Sequence, residues 1–144
     1  MKVLNRMRLV FDSRSANEGF ARTAVAAFVA QLDPTVEEVN DIRTAVSEAV
    51  TNCIVHAYQN EIQPIYITAC LLQDNWVQIK IRDKGCGIPD VKKAMEPLYT
   101  TCTTGERAGL GFALMESMSD RVKVRSTPGK GTTVTLEKRI HSRL

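Results

Sequence analysis

Four segments of this chain have residue types and spacings that could do chemistry. In the first, Glu48, Asn52 and His56 follow one another at four-residue intervals. On a helix that spacing makes one stripe. The stripe flanks the apolar face formed by Ile42, Ala45, Val46, Ala49, Cys53 and Ala57, so its polar groups are half buried and can point into a cleft. A carboxylate there can take a proton from a hydroxyl or a water. An amide oxygen one turn on can bind Mg²⁺, which accepts few protein ligands when phosphates and waters supply the rest. The same letters also suit a polar helix boundary with no chemistry. His56 reads as a packed, hydrogen-bonded residue and not as a metal ligand.

The second segment is Asp83-Lys-Gly85-Cys-Gly87-Ile-Pro-Asp90, directly after an alternating apolar run. Gly85 and Gly87 let the backbone turn sharply and approach a ligand closely. A buried Asp at a strand end can accept a hydrogen bond from an exocyclic amino group, such as that of adenine. A plain strand-exit turn has the same letters. The third, Thr103-Thr-Gly105-Glu-Arg107-Ala-Gly109-Leu-Gly111, places glycines ahead of a helix start, where free N–H groups and the helix dipole attract anions. Arg107 could clamp a terminal phosphate; it also reads as a solvated loop arginine. The Gly-Lys-Ser/Thr of a Walker A loop is missing. In the fourth, Gly129-Lys-Gly131-Thr132-Thr133, a hydroxyl could reach a base or a bridging water, or the segment is a bare turn.

The elements that must carry these segments follow from periodicity. Met7, Leu9 and Phe11 alternate with polar neighbours and predict a first strand. Ser13 or Ser15 can cap a helix to about Gln31, with Phe20, Ala24, Ala27 and Phe28 inward. Asp33-Pro34 reads as a cap and first turn of a second helix, running to about Tyr58. Ile65, Ile67, Ala69 and Leu71, then Val77, Ile79 and Ile81, predict two strands joined through Gln73-Asp74-Asn75. Residues 96–108 lack periodicity and read as a mobile loop. Leu110 to Met118 reads as a helix. Arg121–Ser126 and Thr132–Lys138 form a closing hairpin. The expected fold class is α+β: a two-layer sandwich, one mixed β-sheet covered on one face by helices, in a single domain over 1–144.

Bulk properties agree with a globular domain. The chain has 144 residues, 44% of them hydrophobic and 24% charged. A net charge of +3 with scattered basic residues gives no footprint for direct nucleic-acid binding. The N-terminal residues lack the apolar stretch of a signal peptide, and the longest apolar run, Ala24–Ala30, is too short to span a membrane, so a cytoplasmic location is expected. Cys53, Cys70, Cys86 and Cys102 form no Cys-x-x-Cys pair and read as reduced thiols.

Each segment is modest alone, but their order is specific: a helix with Glu and Asn, a strand ending Asp-x-Gly-x-Gly, a glycine-rich stretch opening a helix, and Gly-Thr on a closing strand. In this the chain resembles the Bergerat-fold (GHKL) ATPases, which include gyrase, MutL, histidine-kinase catalytic domains and anti-sigma-factor kinases. The likeness runs from the first strand to Lys138. The stretches from Ser15 to Arg22, Ala26 to Pro34 and Val46 to Asn52 are most similar to the sporulation branch of the anti-sigma-factor kinases. A histidine kinase would need a phospho-acceptor histidine on a dimerisation helix, and the only histidines are His56 and His141.

The resemblance implies roles. ATP and Mg²⁺ would be the cofactors. Glu48 would be the base for a substrate serine, with Asn52 on the metal and Arg107 on the γ-phosphate. Asp83 would recognise adenine, assisted by Thr132. Gly85, Gly87, Gly105, Gly109 and Gly111 would shape the pocket and its lid. Arg22 would face a sigma factor. The family acts as a homodimer that holds a sigma factor and phosphorylates an anti-anti-sigma protein. Two alternatives fit the same letters: a stress-response switch kinase, and a nucleotide-dependent binding module without catalysis.

Overall fold

Alternation of apolar and polar side chains builds the sheet. A computed structural model describes residues 1–95 and 108–141. Its strands are β1 (Val3–Asp12), β2 (Pro64–Leu72), β3 (Trp76–Asp83), β4 (Arg121–Thr127) and β5 (Gly131–Arg139). Every second side chain turns to one side, and that side is buried: Ile65, Ile67, Ala69 and Leu71 of β2, Val77, Ile79 and Ile81 of β3, Val134 and Leu136 of β5. The β2–β3 link turns through Asp74 (φ 62°) and Asn75 (φ 63°), left-handed positions that Asp and Asn tolerate.

The expected α+β sandwich is present, with one detail corrected. The sheet order is β1-β2-β3-β5-β4, and each described ladder is antiparallel instead of mixed. The reason lies in the connections. Two antiparallel helices join β1 to β2 and return the chain to the end it left, which makes those strands antiparallel. The segment between β3 and β4 carries one short and one longer helix, and those strands run in the same direction, but β5 inserts between them and pairs antiparallel with both.

Helix α1 (Ala16–Val29) passes into a 3₁₀ turn, Ala30–Leu32. Its buried residues are Ala21, Val25, Ala26 and Val29, whereas Phe20 is exposed and meets Phe11 edge-on with centroids 6.4 Å apart. An alanine-rich helix offers several apolar phases, and the one chosen buries the β-branched valines. Ser13 caps nothing; it is buried, and its hydroxyl donates to Glu61 O and accepts from Gln63 N–H, tying the end of β1 to the entry of β2.

Helix α2 (Val36–Asn52) starts two residues later than Asp33-Pro34 suggests. Asp33 takes a left-handed turn (φ 51°), and Thr35 is the cap. Its hydroxyl accepts from Glu38 N–H while the Glu38 carboxylate accepts from Thr35 N–H, a reciprocal capping box. Glu38 Oε2 also accepts from the His141 backbone N–H (2.9 Å), strapping the end of the chain to this helix. Burial alone would raise the pKa of Glu38, but the bonds from His141 and Thr35 outweigh it and hold the value at about 2. A depressed folded-state pKa contributes stability above the unfolded value and loses it as pH falls toward about 2. Glu38→Gln is therefore expected to lower the melting temperature at neutral pH, with the difference from wild type shrinking as the solution is acidified below about pH 4.5. Thermal melts across that range check this.

α2 ends at Asn52 in a π-helical turn, Cys53–Ala57, one residue wider per turn than an α-helix. A short helix α3 (Val91–Ala94), capped by Asp90, and helix α4 (Ala108–Met118) complete the layer, with α4 lying against α2. The core joins α1, α2 and α4 to one face of the sheet.

Candidate functional site

The loop leaving β3 is held by three hydrogen bonds, one to the π turn and two to the β4–β5 hairpin. Cys86 N–H donates to Ala57 O (3.1 Å), Gly129 N–H donates to Cys86 O (2.7 Å), and Ile88 N–H donates to Ser126 Oγ (2.7 Å). Two glycines make this possible. A side chain on Gly85 would overlap the Ala57 carbonyl, and Gly87 holds φ +75° against the Thr127 carbonyl. The loop between β3 and α3 is thereby clamped between the end of α2 and the β4–β5 turn. Beneath it lies a mostly apolar cavity, whose polar lining includes Asn52, Asp83 and Thr132.

Asp83 stands at the cavity floor and is 5% exposed. Burial pushes its pKa up; the Gly85 N–H, donating to Oδ1 (2.9 Å), opposes that most, and the Cys53 thiol donates to Oδ2 (3.6 Å). Burial and the neighbouring Asp83 charge push Cys53 far above an ordinary thiol, which keeps it a neutral donor. The Thr132 backbone N–H donates to Asp83 as well, so three protein donors hold the carboxylate, which as a four-lone-pair acceptor keeps limited capacity toward the cavity. Thr132 Oγ1 lies 2.8 Å from Ser126 Oγ.

Asn52 is the least satisfied group. Its amide oxygen and nitrogen are both buried and have no hydrogen-bond partner among the described residues. A buried unpaired amide costs about 1–3 kcal/mol, and such a group in a folded protein calls for an explanation. Gly111 of α4 packs directly on it: a methyl group there would lie 3.3 Å from Asn52 Oδ1 and 3.2 Å from Glu48 Oε2. Glu48 is therefore beside Asn52 but outside the cavity. It lines a separate cleft between α1 and α2 with Arg22, Asn40, Arg43 and Ser47. Arg22 is held there by Glu18 at 2.8 Å.

The order across the molecule is thus Asp83, Asn52, Glu48, Arg22. The structure brings Glu48, Asn52, Asp83, Gly85, Gly87, Gly111 and Thr132 around one region, and Gly109 lies in the first turn of α4. Gly105, Arg107 and Cys102 fall outside the described residues, as does most of the stretch read as a mobile loop. His56 lines the cavity; burial lowers its pKa and keeps it neutral. Cys86 is exposed at the rim, open to alkylation.

Three supporting residues escape sequence reasoning. Cys53 reads as core from its period but bonds Asp83. Ser126 reads as an ordinary strand residue but holds Ile88 and Thr132. Tyr58 donates to Pro64 O (2.6 Å) and accepts from Lys84 N–H (2.7 Å), fixing the residue after Asp83. Only the tyrosine carries a usable signal, a lone aromatic at the end of the polar stripe. Tyr58→Phe strands the Lys84 N–H and is expected to cost about 1–3 kcal/mol, read by urea denaturation, with weakened ligand affinity at Asp83.

A buried carboxylate lining an apolar cavity, a buried unpaired amide beside it and a carboxylate one helical turn beyond thus lie in one region of the molecule. The chain belongs to the histidine kinase-like ATPase domain family, whose family model matches residues 11–138. Similar proteins of nearly equal length share one name, anti-sigma F factor. The one from Caldanaerobacter subterraneus subsp. tengcongensis is 59% identical over 140 residues, covering 97% of each chain. Those from a Thermoanaerobacter species and Geobacillus kaustophilus are 56% and 52% identical, covering 99% of both chains and 94% and 93% respectively. Among solved structures, the RsbU and RsbW domains of a Mycobacterium tuberculosis protein align with a TM-score of 0.68 at 19% identity, covering 94% of this chain and 32% of that one. A blue-light-activated histidine kinase from Erythrobacter litoralis aligns at 0.57, covering 82% and 40%. These likenesses show the fold; this chain spans about a third of the first solved chain. Among the described residues no helix is long and apolar enough to cross a membrane.

Proposed function

We propose that this chain is an ATP-dependent protein serine kinase that also holds a sigma factor, and that it phosphorylates the anti-anti-sigma antagonist which would release that factor. The observation that carries the reading is the buried, unpartnered amide of Asn52 between the Asp83 cavity and Glu48. Among the described residues no group of three or more His, Cys, Asp or Glu side chains could hold a metal alone. One amide oxygen suits Mg²⁺ that arrives with phosphates and keeps its waters.

Bound ATP with Mg²⁺ would supply the transferable phosphoryl group and its charge neutralisation. The protein does the rest. Asp83 would accept a hydrogen bond from the amino group of adenine inside the apolar cavity, with Thr132 beside it. Asn52 would hold the metal. Gly109 and Gly111 at the start of α4, with Gly105 and Arg107 ahead of it in sequence, would contact the phosphates. Glu48 would take the proton of the incoming serine hydroxyl as its oxygen bonds to the γ-phosphorus and the bond from that phosphorus to the ADP leaving group breaks. Because Glu48 opens to the α1–α2 cleft and not to the cavity, the protein substrate approaches from the Arg22 side. Arg22 also meets the sigma factor, in a homodimer. The name shared by the relatives supports the sigma partner.

The test is incubation with γ-labelled ATP, Mg²⁺ and a candidate anti-anti-sigma protein. Label on a partner serine is the expected result. Stable, nucleotide-dependent partner binding without label supports the non-catalytic module instead.

A further inference from the structure

Basic residues that look scattered along the chain gather on one surface once the sheet forms. Helices cover one face of the sheet and leave the other open. On the open face, register places Val10, Tyr66, Arg82, Thr133 and Arg125 in one row, and Arg8, Thr68, Lys80, Thr135 and Lys123 in the next. Lys84 and Lys130 flank the upper end. Two grooves, of about 830 and 660 Å³, share Arg82 and Thr133 and so form one continuous trough. Its cations Arg8, Lys80, Arg82, Lys84, Arg125 and Lys130 are all exposed. None makes an ion pair among the described residues. The carboxylates near it are at its margins or buried: Asp12 ends β1, Asp83 lines the upper groove but is 5% exposed, and Glu137 is buried, hydrogen-bonded to Gln78 and 4.0 Å from Arg121.

We infer that this open sheet face, which adjoins the nucleotide cavity at Asp83 and Thr132, is a docking surface for an acidic polypeptide segment. Six uncompensated cations along one trough create a field that a chain of carboxylates neutralises. Arginine forks suit carboxylates in two-point pairing, and the threonine rows offer hydroxyl donors between them. A single-stranded nucleic acid would want free aromatic faces for base stacking. Here the Tyr66 ring is already capped by Arg82 (4.8 Å) and Lys84 (5.1 Å), and Trp76 by Arg121 (5.2 Å). The same charge density repels a second copy of this face.

The test uses the full chain and a fluorescein-labelled glutamate oligomer, read by anisotropy at low ionic strength. A serine-glycine peptide and an oligothymidine serve as comparators. The expected result is saturable binding of the glutamate oligomer, weakening steeply with added salt and tighter than either comparator. Arg82→Glu with Arg125→Glu should weaken it by roughly tenfold or more. Lys2→Glu with Arg14→Glu, an equal charge change elsewhere, should move it by less than about twofold. An equal loss in both double variants overturns the inference, since net charge alone would then explain binding. Absence of binding, or tighter binding of the oligothymidine, overturns it as well. Unchanged melting temperature and nucleotide affinity in the Arg82/Arg125 variant separate a surface effect from misfolding.

Discussion

Glu48→Gln is expected to bind nucleotide within about twofold of wild type and to transfer phosphate at least about 100-fold more slowly. Glutamine keeps the length and polarity of the side chain but cannot accept a proton under working conditions. Nucleotide affinity survives because Glu48 does not line the cavity that holds Asp83 and Thr132; it opens to the α1–α2 cleft. Packing also survives, since the carboxylate sits under the bare backbone of Gly111. Single-turnover transfer to the partner serine, with affinity measured separately by calorimetry, reads both halves. Near-normal turnover would remove Glu48 from the chemistry. Lost affinity would place it in the nucleotide pocket instead.

The second large effect belongs to Asp83. In Asp83→Asn, nucleotide affinity is expected to fall about ten- to a hundredfold, the equivalent of about 1.5–3 kcal/mol for a hydrogen bond to a charged group. The carboxylate accepts from Gly85 N–H and the Cys53 thiol while facing the cavity. An amide has one oxygen for the donors of Gly85, Cys53, Thr132 and the ligand, and its NH₂ must confront at least one of them. The loop clamps at Ala57, Ser126 and Cys86 remain, so the melting temperature should change much less than affinity. Calorimetric titration with ATP decides the matter. Affinity equal to wild type would disprove adenine recognition by Asp83.

Much of this arrangement is legible in the letters. Strand alternation places β2 and β3 correctly because a one-residue slip would expose Ile65, Ile67, Ile79 and Ile81. The spacing of Glu48 and Asn52 puts both on one edge of α2, where the structure has them. What stays illegible is set by other chain segments. The phase of α1 depends on which of many alanines and valines meets α2. The start of α2 depends on a bond returning from Glu38 to Thr35, and the chain end reinforces it. The antiparallel sheet depends on β5 inserting between β3 and β4. Cys53 and Ser126 have ordinary core and strand periodicity, and only the fold reveals what they hold. The basic trough is invisible for the same reason: its cations lie on three strands and two connecting segments spread along most of the chain.

A crystal structure of the chain with a non-hydrolysable ATP analogue and Mg²⁺ tests the central proposition most directly, that one nucleotide is gathered by segments distant in sequence. The expected density puts the adenine amino group on the Asp83 carboxylate and the metal on the Asn52 amide oxygen, with the terminal phosphate on the Glu48 side of Gly111. A nucleotide lodged elsewhere on the molecule, or none bound at about millimolar concentration, would contradict it.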